Sequence, residues 1–319
     1  MEAIACNLCG SLDLKFLYRM PDTFFLKEEW FNVVECQGCG LGFVNPRPTF
    51  EEIGRFYPPA YYQWFQTEQK FNDRRYEIEA GYVHRYVKAS PAHVLLDVGC
   101  ANGDFPRAMQ RFGWNVEGVE ISNNSTAIDD FLLYRQTFPE IPVNAPRYDV
   151  VTAWAVLEHV HDPGAYFKKA AKVLRPGGFF VFNVPNFGSI SSRHLYREDV
   201  PRHLYFFTEG NVRRYLSANG MELIEAFFDD RVYSMLAYNW LHYYLRFKRR
   251  GRDFTYEDSL FCRDRYLKEN GLSPTLFNSI RFFAANTHIP VDRLLRRAFE
   301  KYQMRKGTYG QSTYIARKV

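Results

Sequence analysis

The stretch HVLLDVGCANGDFPRAMQRFGWNVEGVE, residues 93–120, constrains this chain most. An apolar run ends in a glycine-bearing turn, a helix-forming segment follows, and a second apolar run closes on an acid. Two strands joined through one helix are expected to pair in parallel, because a parallel pair needs a crossover of this kind. Asp104 is expected to cap the helix, with Pro106 in its first turn and Gly113 ending it.

The rhythm continues down the chain. YDVVTAW (148–154) reads as a strand, AYFKKAAKVL (165–174) as a helix stopped by Arg175-Pro176-Gly177-Gly178, and FFVFNVPN (179–186) as a further strand. Thr208 is expected to cap a helix ending at Asn219-Gly220, with MELIEAFF and STYIARKV returning as strands. The fold class is therefore α/β, a doubly wound and mostly parallel sheet. A small zinc-ribbon-like module precedes it, and a helical insertion lies near the C-terminus. The expected division is 1–46 for the metal module, 47–92 for a connector and helix, 93–230 plus 308–319 for the sheet domain, and 231–307 for the aromatic and basic insertion. No apolar run approaches the ~20 residues of a membrane span. MEAIACNLCG lacks a basic start followed by an apolar stretch, so no signal peptide and a cytoplasmic location are expected.

Four of the six cysteines form two identical pairs, Cys6-Asn-Leu-Cys9-Gly10 and Cys36-Gln-Gly-Cys39-Gly40. Each pair puts two thiolates on one tight turn, and two such turns complete a tetrahedral zinc site. Four protein ligands leave no open position, so a zinc at Cys6, Cys9, Cys36 and Cys39 would be structural. Cys100 and Cys262 stand alone and read as small buried residues.

The glycine turn does not suit a pyrophosphate. Ala101 fills the middle glycine position, and the carboxylate of Asp97 precedes the turn. That acid suits a cationic or zwitterionic adenosine ligand, and Glu120 at the end of the next strand can accept from ribose hydroxyls. VLLDVGCANGDF resembles the first motif of class I S-adenosylmethionine-dependent methyltransferases. VEGVEIS resembles the acidic end of their second strand, and YDVVTAWAVLEHVHDPGAYFKKAAKVLRPGGFFVFNVPN their fourth strand, following helix and fifth strand. With CNLCG…CQGCGLGFVNPRP and PRHLYFFT, the chain resembles bacterial members that carry an N-terminal four-cysteine zinc-binding segment, of glycan or secondary-metabolite type. The resemblance implies S-adenosyl-L-methionine as cofactor. It assigns Asp97, Gly99, Cys100 and Gly103 to the methionine end, Glu120 to the ribose, Ile121 to the adenine, and Ala155 and Val156 to the cofactor's other side. Where quinone-pathway relatives have an E-x-x-E-H metal cluster, this chain has Ala155 in the first place, so no catalytic metal is expected.

Ligands of open parallel sheets bind beyond the C-terminal strand ends. That places Glu158, His159 and His161 after one strand, and His194, Arg202, His203 and Tyr205 after the next, as candidates for the chemistry. His203 and His159 can serve as a base or substrate contact near neutral pH, or as structural histidines. Arg202 can grip a substrate phosphate or carboxylate bidentately. Tyr205-Phe206-Phe207 reads as core and pocket wall.

The net charge is +5, yet Arg231–Val319 holds 18 Lys and Arg against 7 Asp and Glu, so the preceding chain is acidic. A basic last quarter suits a phosphate-bearing acceptor or peripheral contact with an anionic membrane, and equally a solvated helical face. The leading expectation is methyl transfer to a small-molecule or glycan acceptor, with a sugar first. Two other readings stay open: an RNA methyltransferase, and a non-catalytic cofactor-binding protein. Against nucleic acid, residues 1–46 are not basic and no Asn/Asp-Pro-Pro-Phe/Tyr motif is present.

Overall fold

The computed structural model describes residues 1–22, 28–58, 69–122, 128–195, 199–233, 244 and 288–319. Most of the expected 231–307 insertion, including Lys248, Arg249, Arg250 and Cys262, lies outside the described residues.

A seven-stranded sheet is built from β4 (Val94–Val98), β5 (Asn115–Val119), β6 (Leu132–Tyr134), β7 (Tyr148–Trp154), β8 (Leu174–Pro185), β10 (Met221–Asp229) and β11 (Gln311–Lys318). The order is β10-β11-β8-β7-β4-β5-β6. Strands β6, β5, β4, β7 and β8 pair in parallel, while β11 pairs antiparallel with both β8 and β10. Chain order reverses between β4 and β7, which makes that junction the switch point where such sheets open a crevice.

The period of two along each strand divides the core. Leu96, Val151, Phe180, Phe182 and Tyr314 face one apolar layer, and Leu95, Val150, Val181 and Ile315 face the other. Helices α3 (Pro163–Val173) and α5 (Glu209–Ser217) cover the first layer, where Phe167 stacks on Tyr215 with ring centroids 4.8 Å apart. Helices α1 (Gln69–His84) and α2 (Asp104–Arg111) cover the second through Ala80, Tyr82, Val83, Phe105 and Met109. The short α4 (Ile190–Leu195) and the longer α6 (His288–Arg305) complete the described helices.

Thr208 caps α5 as expected, its hydroxyl accepting from the Asn211 N–H while Asn211 reaches back. At α2 the expectation is corrected. The cap is Gly103 in a left-handed conformation, φ +81°, and Asp104 is the first helical residue, where Tyr76 donates to its carboxylate. Between β5 and β7 the described residues hold only β6 and one 3-10 turn, Phe138–Glu140.

The N-terminal segment forms β1 (Leu14–Pro21), β2 (Trp30–Cys36) and β3 (Gly42–Val44), an antiparallel sheet to which β9 (Tyr205–Phe206) adds a fourth strand. Cys6, Val34, Cys36, Leu41 and Phe43 belong to the same apolar layer as Leu96 and Phe180. The four-cysteine segment is thus packed into the body of the protein through a strand donated from residue 205 onward.

Candidate active site

The carboxyl ends of β4, β5 and β7 meet at the switch point. Behind β4, Gly99 and Cys100 both donate their N–H to the Val119 carbonyl, and Gly103 N–H donates to the Cys100 carbonyl. The turn is closed on β5 by Glu120, whose carboxylate accepts from Ala101 N–H at 2.9 Å and Ser122 N–H at 2.6 Å. Gly99 has φ +72°, and a Cβ there would lie 2.6 Å from a Val156 methyl carbon, so the turn sits directly on the loop after β7. At Gly103 a Cβ would meet Phe131 and Ile128, so its close neighbours are apolar side chains. The Cys100 side chain is buried and its thiol is pushed up by burial. Ile121, in contrast, stands 54 % exposed just past β5.

Asp97 is buried in β4, accepts from the Thr152 hydroxyl at 2.6 Å, and is pushed up to about 7 by burial, against the pull of that hydrogen bond and of Arg75. On α1 the wholly buried Glu79 is pushed up to about 8 by the same cause, with Arg75 beside it at 3.0 Å. Neither Glu79 oxygen accepts a well-directed hydrogen bond among the described residues. The Arg75 guanidinium lies over the Tyr76 and Tyr233 rings, 4.8 and 4.9 Å from their centroids. Arg75, Glu79 and Thr152 were not among the sequence candidates. The readable signal was an Arg–Glu pair at i,i+4 in line with Tyr82 and Val83, which places charge on the apolar face of a helix.

Beyond β7 the chain turns through Ala155, a non-glycine residue at φ +54°. Glu158 follows, buried, and its carbonyl accepts from Leu204 N–H at 2.7 Å and Tyr205 N–H at 3.2 Å. This bond pair brings His159 and His203 together with ring centroids 4.7 Å apart, edge to face. One ligating atom each from Glu158, His159 and His203 lie within 4.8 Å of one another. Nδ1 of His159 lies 3.1 Å from the Arg202 carbonyl and 3.0 Å from the Tyr57 hydroxyl. A carbonyl only accepts, so a hydrogen bond to Arg202 takes the proton on Nδ1 and leaves Nε2 bare, with the Tyr57 hydroxyl as a second neighbour able to accept or donate. Nδ1 of His203 accepts from Asp199 N–H at 3.3 Å, which puts the His203 proton on Nε2. Burial, and then the neighbouring His203, hold His159 well below the usual histidine range.

Arg202 departs from its expected role. It is fully buried, and its guanidinium donates to Asp22, Asp199 and the Phe56 carbonyl, with each nitrogen engaged. It therefore cannot grip a substrate phosphate or carboxylate. His161 and Tyr205 are also engaged elsewhere. His161 Nε2 meets the Pro48 carbonyl, and Arg47 donates to the Tyr205 hydroxyl and the His161 carbonyl. His194 lies on α4.

The four cysteine sulfurs converge at the other end of the N-terminal sheet. Cys6 and Cys39, and Cys9 and Cys36, are each 3.4 Å apart, beyond any disulfide bond, and all four lie within 4.8 Å. Burial pushes the Cys6 and Cys39 thiols up, and the four sulfurs form a donor set of the kind that can hold a metal ion. Among the described residues no helix is long and apolar enough to cross a membrane.

Residues 71–226 match a family described as Methyltransferase domain. The ubiquinone biosynthesis O-methyltransferase of Cronobacter sakazakii is 31% identical over 148 residues, covering 43% of this chain and 60% of the relative. Its counterpart from Nitrosomonas europaea is 27% identical over 158 residues, 45% of this chain and 65% of that one. The chain thus spans about three fifths of the length of the curated relatives it matches. A crystal structure of a SAM dependent methyltransferase from Archaeoglobus fulgidus aligns with 80% of this chain and 99% of its own, at 17% identity and a TM-score of 0.49. Residues 71–226 are thus similar to a methyltransferase domain, and the sheet order, the β4 turn and the acid ending β5 give that span a Rossmann-like fold.

Proposed function

We propose that this chain is an S-adenosylmethionine-dependent O-methyltransferase acting on a small hydroxylated acceptor. One observation carries the reading: Asp97 and Glu120 end adjacent parallel strands, and the Glu158–His159–His203 group follows the next strand at the same crevice. The cofactor's ammonium would be held by ionised Asp97, and its carboxylate by Arg75. Glu120 would accept from the ribose hydroxyls, and exposed Ile121 offers an apolar face to the adenine. When bound, S-adenosylmethionine supplies an electrophilic methyl group.

The protein's own share is alignment and a base. Bare Nε2 of His159 would take the proton of the acceptor hydroxyl, and Nε2–H of His203 would donate to a neighbouring acceptor oxygen. A base held below the usual histidine range suits a hydroxyl more acidic than an alcohol, such as a phenol or enol. The names of the relatives support oxygen as the methylated atom. A sugar acceptor is the second reading, favoured by the likeness of the four-cysteine segment to that of glycan-type enzymes.

We also infer that Cys6, Cys9, Cys36 and Cys39 hold a structural zinc. Their spacing brackets the separation of about 3.8 Å that Zn–S bonds of about 2.3 Å give in a tetrahedron.

Calorimetric titration with S-adenosylmethionine tests the first half of the reading. Transfer of a labelled methyl group to two panels, phenols and nucleotide sugars, tests the second. No cofactor binding overturns the proposal. Cofactor binding with transfer only to nucleotide sugars replaces the phenol class by the sugar class.

A further inference from the structure

A buried ion group joins the N-terminal segment to the candidate base. Asp22 lies directly after β1, Asp199 lies after α4, and both are bound by Arg202, which has no exposed surface. Arg202 also donates to the Phe56 carbonyl at 2.9 Å, one residue before Tyr57. The carbonyl of this same Arg202 faces Nδ1 of His159, and the Tyr57 hydroxyl faces it too. Asp199 has a second part: its N–H donates to His203 Nδ1 and its carbonyl accepts from the His203 N–H. Each of these groups facing the two imidazoles is therefore on, or next to, a residue bound in the ion group.

Burying a guanidinium and two carboxylates is costly, and an apolar replacement of equal volume is often no less stable. Fold stability alone gives little reason for three charges here. A fixed register does. The tautomer of an imidazole follows the hydrogen bond at its other nitrogen, and that bond holds only if the carbonyl cannot turn away. Arg202 ties its own backbone through six donated bonds to three separate chain segments.

We propose that Asp22, Arg202 and Asp199 are positioning residues for the base. Together they hold the Arg202 carbonyl on Nδ1 of His159 and the Asp199 N–H on Nδ1 of His203, leaving His159 Nε2 bare and His203 Nε2 protonated. The inference rests on reading His159 as the base, but the tautomers can be observed without any acceptor. Asp22 belongs to the N-terminal segment, so that segment contributes to the chemistry while touching neither cofactor nor substrate.

The test is two-bond 1H–15N correlation on the whole 319-residue chain, purified with zinc present, with 15N-labelled histidine. His159→Gln and His203→Gln identify the two resonances by their loss. The wild type is expected to show Nδ1–H for His159 and Nε2–H for His203. Asp22→Asn and Arg202→Lys are expected to convert the His159 signal to a mixture of tautomers. Cofactor Kd should stay within twofold, while kcat falls at least tenfold with KM nearly unchanged. An Nε2–H signal for His159 in the wild type overturns the proposal. So does a wild-type pattern retained in both variants. Should His159→Gln keep full turnover, the base assignment fails instead, while the tautomer result stands on its own.

Discussion

At the scale of single residues, proton placement decides what the crevice can do. Asp97 is pushed up to about 7, so in the free protein much of it is protonated at neutral pH. An ammonium ligand needs the ionised form, so cofactor affinity should rise about tenfold per pH unit up to about pH 7 and then level off. The stability consequence has the opposite sign. A carboxyl raised on folding favours the folded state while protonated, and that advantage is lost as pH rises from the usual aspartate range through about 7. The free protein should thus melt lower at pH 7.5 than at pH 5.5 by this contribution, and saturating cofactor should reverse the trend. Asp97→Asn should flatten the acid limb of affinity and cost about tenfold to a hundredfold in Kd at pH 8, the worth of one charge-assisted hydrogen bond. Calorimetry across pH 5.5–8.5 reads both effects, and an affinity independent of pH would remove Asp97 from the ammonium site. The base gives a separate expectation. His159→Gln should lower single-turnover methyl transfer by about 10²–10⁴-fold, the usual share of a positioned base, with cofactor Kd unchanged. The sequence exposed Asp97, His159 and His203 because Asp97 lies at the end of one legible strand and the two histidines lie in the connections that follow two others. It hid Arg75, Glu79 and Asp22, because a buried charge becomes functional only through partners remote in the chain.

At the scale of elements, the strands of the large sheet were legible because their alternate residues feed two apolar layers, as Leu95 and Leu96 or Val150 and Val151 do. Strand β9 was not. Tyr205-Phe206-Phe207 reads as core, and all three are buried, but its pairing with β3 joins residues some 160 positions apart. No local pattern encodes such a pairing. Asp104 was misread as a cap because a capping side chain and a first-turn acid look alike in sequence. Only the left-handed Gly103 separates them. The junction between the β4 turn and the loop after β7 is the tightest joint at the site. Gly99→Ala brings a Cβ against Val156 at a backbone angle that disfavours any side chain. It should cost about 1–3 kcal/mol of stability and weaken cofactor binding. Adding Val156→Ala removes the colliding methyl carbon but not the strained angle, so it should recover part of the loss. Denaturant melts of the two single variants and the double variant give the coupling. Strict additivity would show that the contact between turn and loop has no energetic weight.

At the scale of the whole molecule, the four-cysteine segment shares an apolar layer with β4 and β5, but its hydrogen bonds and strand pairing run to the segments around the candidate base. Asn7, between Cys6 and Cys9, donates to Asp162, and its side-chain oxygen accepts from Gly164 N–H and the Tyr215 hydroxyl. Asn211 at the start of α5 donates to the Cys39 carbonyl at 2.8 Å. Arg193 pairs with Glu35, and β3 pairs with β9, two residues beyond His203. Among the described residues, the hydrogen bonds of Asp97, Gly99 and Glu120 make no such tie to the N-terminal segment and run among β4, β5, β6 and β7. Losing the metal should therefore loosen the segments after β7 and β8 before it loosens the β4 turn. Cys36→Ser, or chelation of the wild type, should abolish methyl transfer while cofactor Kd changes by less than about tenfold, a cost below about 1.4 kcal/mol. Hydrogen exchange gives the spatial readout: protection should fall together in residues 31–44 and 204–207 and persist in 94–98 and 116–119. If chelation lowers protection evenly across the sheet, the metal supports the whole fold. If protection falls only within residues 1–44, β9 does not transmit it, and the N-terminal segment is a separate unit after all.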